Sequence, residues 1–547
     1  MMRNVARKGD PTSTGGMIQE GDSSWLSEGY PTTYIGMIAT CPACKVGQGP
    51  IVAVGPRSII GPGGPVALQG DYVACGCPSM SNVILPAQGT TVGDNMGPRP
   101  KTASTPVEPP ASTLADSQPA SALADSVTTP LVLKPLPLVD LLETRIGVFF
   151  DGTQNNMHNS KLREQCERAS DAVCSSIEKL IGAGTSYDNG LTNVARLHNA
   201  YTGKAIYIEG IGTQSGLADD TKGLALGIGG TGVIMKAQMG LDQLTAHVQS
   251  LPPGSVVVDV FGFSRGAAAA RHFINKLLAL NLGRPLRVGF VGLFDTVAAI
   301  GSAADGLDTS DDNNLGVSLY LAPGCADQVV QLTAHHEYRV NFALNSISST
   351  HREIPLYGAH SDIGGGYLAG EERIPIARPY EVTMMVGDQE ALKAFKSEAS
   401  KRYYEAQKVY QAYLATPSQL KDELHQYSIP TPSGGRTGYI ANTVMTRYVK
   451  PELQLLAGHL MRQLAAESGV PILELTETIP DELAAIFTAY QAAATTGGLP
   501  TLTPEQEHLI MTQYAHCSDS WVTSAGIFVN APAPSRIRRV YQQQQGK

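Results

Sequence analysis

The sequence has no run of basic residues, no histidine before His158 and no apolar stretch near its start. Each absence excludes something. With a formal net charge of −9 and no Lys/Arg-rich segment, nucleic acid is not expected as a partner, because phosphate binding needs a positive face. Met1 to Asp10 is polar, where a cleavable secretory signal would place an apolar core. No run reaches the roughly 18 to 20 apolar residues of a membrane-spanning helix. The expectation is a chain made in the cytoplasm that stays there or leaves by a route reading no cleavable signal. A general disulfide framework is not expected of a chain made in a reducing compartment.

What is present is ample. Hydrophobic residues make up 42 % of 547, enough for a sizeable core, and at roughly 150 residues per domain the length implies more than one domain. Residues 1–95 are rich in Gly and Pro, with short runs such as Ile51 to Val54 and Val83 to Leu85 between turns, and read as a small all-β unit. Residues 96–140 are dominated by Pro, Ala, Ser and Thr. Such a segment buries too little apolar surface to offset its ordering entropy and reads as a linker. From residue 141 to 547 the pattern is α/β. Apolar strands at Arg145 to Phe150, Ala205 to Ile208, Ser255 to Phe261 and Arg287 to Phe294 alternate with helices at Val233 to Leu251 and Arg265 to Leu282. Continuous apolar strands between helices indicate a mostly parallel sheet covered on both faces. Residues 376–510 read as a helical insertion, with a last strand at Trp521 to Asn530.

The chemistry concentrates in Gly262-Phe263-Ser264-Arg265-Gly266. A buried strand runs into it and an Ala-rich helix runs out, which is the context of a nucleophile elbow. The turn demands small residues on either side of the serine, and the helix N-terminus favours developing negative charge. Serine needs a histidine base and an acid to orient it, in the chain order Ser, acid, His. Asp295 follows a strand, and His360 lies in Gly358-Ala359-His360-Ser361-Asp362, ahead of the triplet Gly364 to Gly366. His516 competes with His360 as base; Asp362 and Asp259 compete with Asp295 as acid. His272 and His459 fall on helices and read as packing or surface residues, and Asp259, inside a strand, as a structural acid. The backbone N–H of Arg265, with one from the turn Asp151-Gly152-Thr153, suits an oxyanion hole. A tight turn capped by Asp151 reads equally well there, and the two can hold together.

The close pairs Cys41/Cys44 and Cys75/Cys77 can supply four thiolates to one tetrahedral zinc; local disulfides or inert buried thiols are the alternatives.

Five ordered segments carry a family resemblance: Phe149 to Asn155, Tyr207 to Thr213, Gly262 to Ala267, Phe294 to Val297 and His360 to Tyr367. They are similar to the alpha/beta-hydrolase domain of the type VI secretion phospholipase effectors, the family-1 lipase effectors. The resemblance implies a Ser264, Asp295, His360 triad, hydrolysis of phospholipid acyl esters in a target membrane and a cognate immunity protein. Residues 6–95 resemble a PAAR-type domain, the tip of the VgrG spike trimer, through Ala6 to Gly16 and Gly70-Asp71 before Cys75. Many such tips bind zinc with histidines, which this segment lacks, so either the four cysteines substitute or the tip holds no metal. The implied protein is secreted by the type VI system into target cells. A spike-tip adaptor with a silent hydrolase domain, and an esterase for a non-lipid ester, are the alternatives.

Overall fold

The computed structural model describes residues 2–27, 29–54, 60–61, 64–75, 77, 81–86, 91–93, 143–168, 174, 180, 184–301, 314, 316–429, 435–524 and 527–544. The chain divides into two compact units, Met1–Lys134 and Pro135–Lys547. The expected linker, 96–140, lies outside the described residues.

The first unit is built from short antiparallel strands. Gln48–Val52 pairs with Ile38–Thr40 on one side and Tyr72–Val73 on the other. Its core is small: Ala6, Ile18, Ala39, Ile51, Ala67, Val73 and Ile84 enclose Cys41 and Cys75. Arg3 reaches Asp71 at 2.9 Å, and Asp71 also accepts the Leu68 N–H at 2.7 Å, so the buried acid is satisfied.

The second unit is organised by six strands: β1 (Glu143–Phe150), β2 (Lys204–Ile208), β3 (Ser255–Phe263), β4 (Leu286–Phe294), β5 (Gln328–Ala334) and β6 (Arg352–Leu356). Their order is β2-β1-β3-β4-β5-β6 and every pairing is parallel. Alternate residues serve opposite faces, as the pleat requires. Val256, Val258 and Val260 join Ile146, Val148 and Phe150 on one face. Phe261, Phe263 and Phe149 occupy the other. The first face is covered by α1 (Val233–Ser250) and α2 (Arg265–Leu278), whose Ala267 to Ala270 are completely buried. The second is covered by α3 (Leu453–Glu467), through Leu453, Leu456, Leu460 and Leu464. Strand order reverses between β1 and β3, so their carboxyl ends open a crevice where ligands of such sheets bind.

The segment 376–510 carries helices at Gln389–Tyr410, Leu453–Glu467 and Asp481–Thr496, and strands that the sequence reading did not expect. It holds long strands at Leu420–Ile429 and Arg436–Val449, paired antiparallel, and the second of these also pairs with Gly370–Pro375 and Tyr380–Met385. Only Leu420 of the first strand is buried, so no alternation of apolar and polar residues betrays it. Trp521 to Asn530 holds a short hairpin, Thr523–Ser524 with Ile527–Phe528, and a strand at Val540–Gln542 pairs in parallel with Leu344–Ser346. Cys166 and Cys174 form a disulfide that the sequence reading did not anticipate. No helix among the described residues is long and apolar enough to cross a membrane.

Candidate active site

Ser264 sits at the junction of β3 and α2 with φ +57° and ψ −128°. Its backbone N–H is tied to Phe294 O at 3.0 Å, which fixes the turn to the end of β4. A serine at a helix start normally caps the first turn. Ser264 makes no such side-chain bond. The positions two residues to either side of it must be bare. A Cβ on Gly266 would lie 2.1 Å from Asp151 O, and one on Gly262 2.7 Å from Ala267 Cα.

Asp295 and His360 come together although 65 residues separate them: His360 Nδ1 lies 2.6 Å from Asp295 Oδ2. Asp295 follows β4, and His360 begins the short helix His360–Gly364 after β6. The ring of Phe263, next to Ser264, packs on the His360 ring at 4.7 Å, which brings the imidazole to the elbow. The helix comes this close because Gly364 has no side chain; a Cβ there would meet the Phe263 ring at 1.9 Å. Among the described residues, no hydrogen bond joins Ser264 Oγ to His360. In free enzymes such contacts are often long and tighten with substrate.

The acid has further partners. Asp295 Oδ1 accepts the Ala334 N–H at 2.9 Å, and Arg538 donates one bond to each carboxylate oxygen, both at 2.8 Å. Burial opposes ionisation of Asp295, but Arg538 and His360 outweigh it and hold the carboxyl well below its usual range. Burial pushes the His360 imidazole below its ordinary value, against the pull of Asp295. Nearby, Glu337 accepts the His360 N–H at 3.4 Å and pairs with Arg339 at 2.8 Å.

The competing residues pair with each other. His516 Nδ1 lies 2.7 Å from Asp362 Oδ1, its N–H donates to Asp362 Oδ2 at 2.9 Å, and its ring stacks on Tyr367 at 3.6 Å. Asp259 binds Arg145 at 2.7 Å, the Tyr201 hydroxyl at 3.0 Å and the Phe290 N–H at 3.1 Å, all within the sheet. His272 accepts the Ser318 N–H at 3.0 Å, and His459 Nε2 lies 2.7 Å from Glu477 O.

Around the turn after β1, Asp151 is buried and accepts from the Gly152 N–H at 2.7 Å, the Thr192 hydroxyl at 2.8 Å and the Tyr207 hydroxyl at 2.5 Å. Burial raises its carboxyl to about 6 despite these donors. The Gly152 N–H is engaged by its neighbour's carboxylate, the capped turn that the sequence offered beside the oxyanion-hole reading. Thr153 is drawn to the elbow instead: Arg265 Nε donates to Thr153 Oγ1 at 2.8 Å. The rest of the Arg265 guanidinium bonds to the carbonyls of Gly223 and Leu224.

In the first unit, Cys41, Cys44, Cys75 and Cys77 bring their sulfurs within 4.8 Å of one another. Bonds of about 2.3 Å to a tetrahedral zinc would set sulfurs roughly 3.8 Å apart, so the cluster is close to that geometry. Thr14 donates to Cys41 Sγ at 3.5 Å and Asn82 to Cys75 Sγ at 3.6 Å, the kind of outer support thiolate ligands receive. The residues fit a metal.

The PAAR motif family model matches residues 8–81. The first unit carries a PAAR motif. No curated protein matches the chain significantly. Among solved structures, that of the Tle1 effector bound to the VgrG spike from the Type 6 secretion system is similar at 25 % identity and TM-score 0.54, over 74 % of this chain and 94 % of that one. An uncharacterized protein from Pseudomonas aeruginosa, at 18 % identity and TM-score 0.33 over 67 % of this chain and 52 % of that one, is too distant to bear on function. A PAAR motif and a likeness to a type VI effector thus occur in one chain, as the two sequence resemblances implied. Sequence reasoning missed Arg538, Glu337 and Arg339 around the Asp–His pair. Arg538 meets Asp295 across 243 residues, and no local pattern signals such a contact.

Proposed function

We propose that the second unit is an alpha/beta-hydrolase-type serine lipase cleaving phospholipid acyl esters, delivered on a VgrG spike through the PAAR unit. The observation carrying this reading is the Asp295–His360 pair seated on Phe263, beside a serine whose side chain caps nothing. Ser264 Oγ attacks the ester carbonyl while His360 Nε2 takes its proton. Asp295 holds Nδ1–H and so keeps the imidazole in the productive tautomer. The backbone N–H groups of Arg265 and Thr153 face the developing oxyanion, and the α2 N-terminus adds its dipole. His360 then protonates the leaving alcohol, and water, activated by the same imidazole, releases the acyl group.

Delivery rests on the PAAR motif and on the likeness to an effector bound to VgrG. Such a protein requires an immunity partner in its producer, and reaches its substrate membrane inside the target cell. Cys41, Cys44, Cys75 and Cys77 would hold one structural zinc, cross-linking a unit whose core is small.

The test compares purified wild-type protein and Ser264→Ala on phospholipid vesicles and on a soluble short-chain ester. The reading expects vesicle hydrolysis by the wild type alone. Hydrolysis of the soluble ester without the vesicles would move the substrate away from lipid, and an inert wild type would make the unit a passive part of the spike.

A further inference from the structure

We propose that Arg538 is a positioning residue that sets the basicity of His360 by sharing the carboxylate of Asp295. This rests on the triad reading above. Arg538 is almost entirely buried at the side chain and Asp295 wholly so. Its fork takes both oxygens of Asp295 at 2.8 Å, while its Nε donates to Phe342 O at 2.8 Å and NH1 reaches Ala334 O at 3.3 Å. The Phe342 ring in turn stands edge-on to His360 at 5.0 Å. One guanidinium thus fixes both the acid that faces Nδ1 and the loop that packs on the imidazole.

The electrostatic consequence follows from who faces His360. Asp295 approaches from the loop after β4. Glu337 and Arg339 approach from the loop after β5, and Arg538 reaches the same place from the segment before Val540–Gln542. Asp362, on the histidine's own helix, is turned to His516. Two carboxylates and two guanidinium groups therefore surround the imidazole, with no net charge. A lone carboxylate would favour the imidazolium strongly. Sharing that carboxylate with Arg538 weakens the pull, so His360 remains a neutral base at lower pH. Arg538 also holds Asp295 ionised and in one rotamer, which burial alone would oppose.

The test measures the pH dependence of kcat/KM on a soluble short-chain ester for the full chain and its Arg538→Gln and Arg538→Lys variants. In parallel, histidine NMR follows the titration of His360, assigned with His360→Gln. Arg538→Gln should move both the acid limb and the His360 midpoint upward by about one pH unit. Arg538→Lys keeps the charge but loses the fork. It should leave the midpoint in place while lowering kcat/KM roughly tenfold, since planar two-point binding is not conserved by lysine. An unmoved limb and midpoint in Arg538→Gln would overturn the proposal. Should that variant not fold, wild-type kinetics in Arg538→Lys would overturn it equally. The NMR titration repeated in Ser264→Ala separates the two readings, because the His360 midpoint responds to Arg538 whether or not Ser264 is the nucleophile.

Discussion

The second unit contains two buried Asp–His pairs that look alike at close range. Asp295 with His360 and Asp362 with His516 have Nδ1-to-oxygen distances of 2.6 and 2.7 Å. Both acids are fully buried, and both accept a backbone N–H besides the imidazole. Their surroundings differ. The first imidazole lies against Phe263 at the serine elbow, and its acid is shared with Arg538. The second lies flat on Tyr367, and its acid ties His516 to the turn at Ala359, one residue before His360. On the proposed reading, the first pair exchanges a proton with the substrate. The other fastens the late segment of the chain to the helix that carries His360. A short Asp–His distance is therefore not evidence of catalysis; the neighbour on the far side of the ring decides.

This contrast can be broken or sharpened by substitution. The largest effect is expected for Ser264→Ala, a loss on the order of 10⁶ in turnover with the fold intact, and His360→Ala should match it. The double variant should be little worse, because triad members act as one unit. Ester hydrolysis by Ser264→Ala within about tenfold of wild type would end the assignment. Asp295→Asn should cost on the order of 10⁴, since it presents the wrong hydrogen to Nδ1. His516→Ala should keep turnover within about tenfold while unfolding at lower temperature, by about 3 kcal/mol, because it strips a buried acid of its partner. A His516→Ala protein as inactive as His360→Ala would exchange the roles of the two pairs.

A smaller effect concerns pH. Burial depresses His360, so the acid limb of kcat/KM should fall below 6.5, the ordinary histidine value. The sign for stability is the same: an imidazole harder to protonate when folded contributes stability above that value and loses it as pH drops. A limb at or above 6.5 would mean that Asp295, not burial, dominates. The smallest effect on hydrolysis is expected at the other end of the chain. Replacing Cys41 and Cys75 by serine should remove about one zinc by elemental analysis and destabilise the PAAR unit, leaving ester hydrolysis untouched.

The elements that position the serine were legible because they are local. Ser255–Phe263 and Arg265–Leu278 announce themselves by apolar continuity and an alanine run. The pairing of Cys41, Cys44, Cys75 and Cys77 was visible from spacing alone. What stayed hidden depends on partners far away in the chain. Leu420–Ile429 forms a strand with little buried surface, held by its ladder to Arg436–Val449 rather than by pattern. The Thr192 and Tyr207 hydroxyls that reach Asp151 come from 41 and 56 residues away, and no local pattern announces them. His360 was preferred to His516 from the sequence, but the ring of Phe263 against it was not legible there.

The backbone at two site positions has a consequence for durability. Ser264 and Asp295 both adopt positive φ, +57° and +42°, where side chains are disfavoured and only glycine rests easily. Each such position costs on the order of 1–3 kcal/mol. Glycine at either would relieve that strain, partly offset by its greater freedom when unfolded. Ser264→Gly should thus produce a chain at least as resistant to heat and wholly inert. Selection of variants for thermal endurance alone would drift toward that inert chain, so any screen for a hardier protein has to reward turnover in the same step.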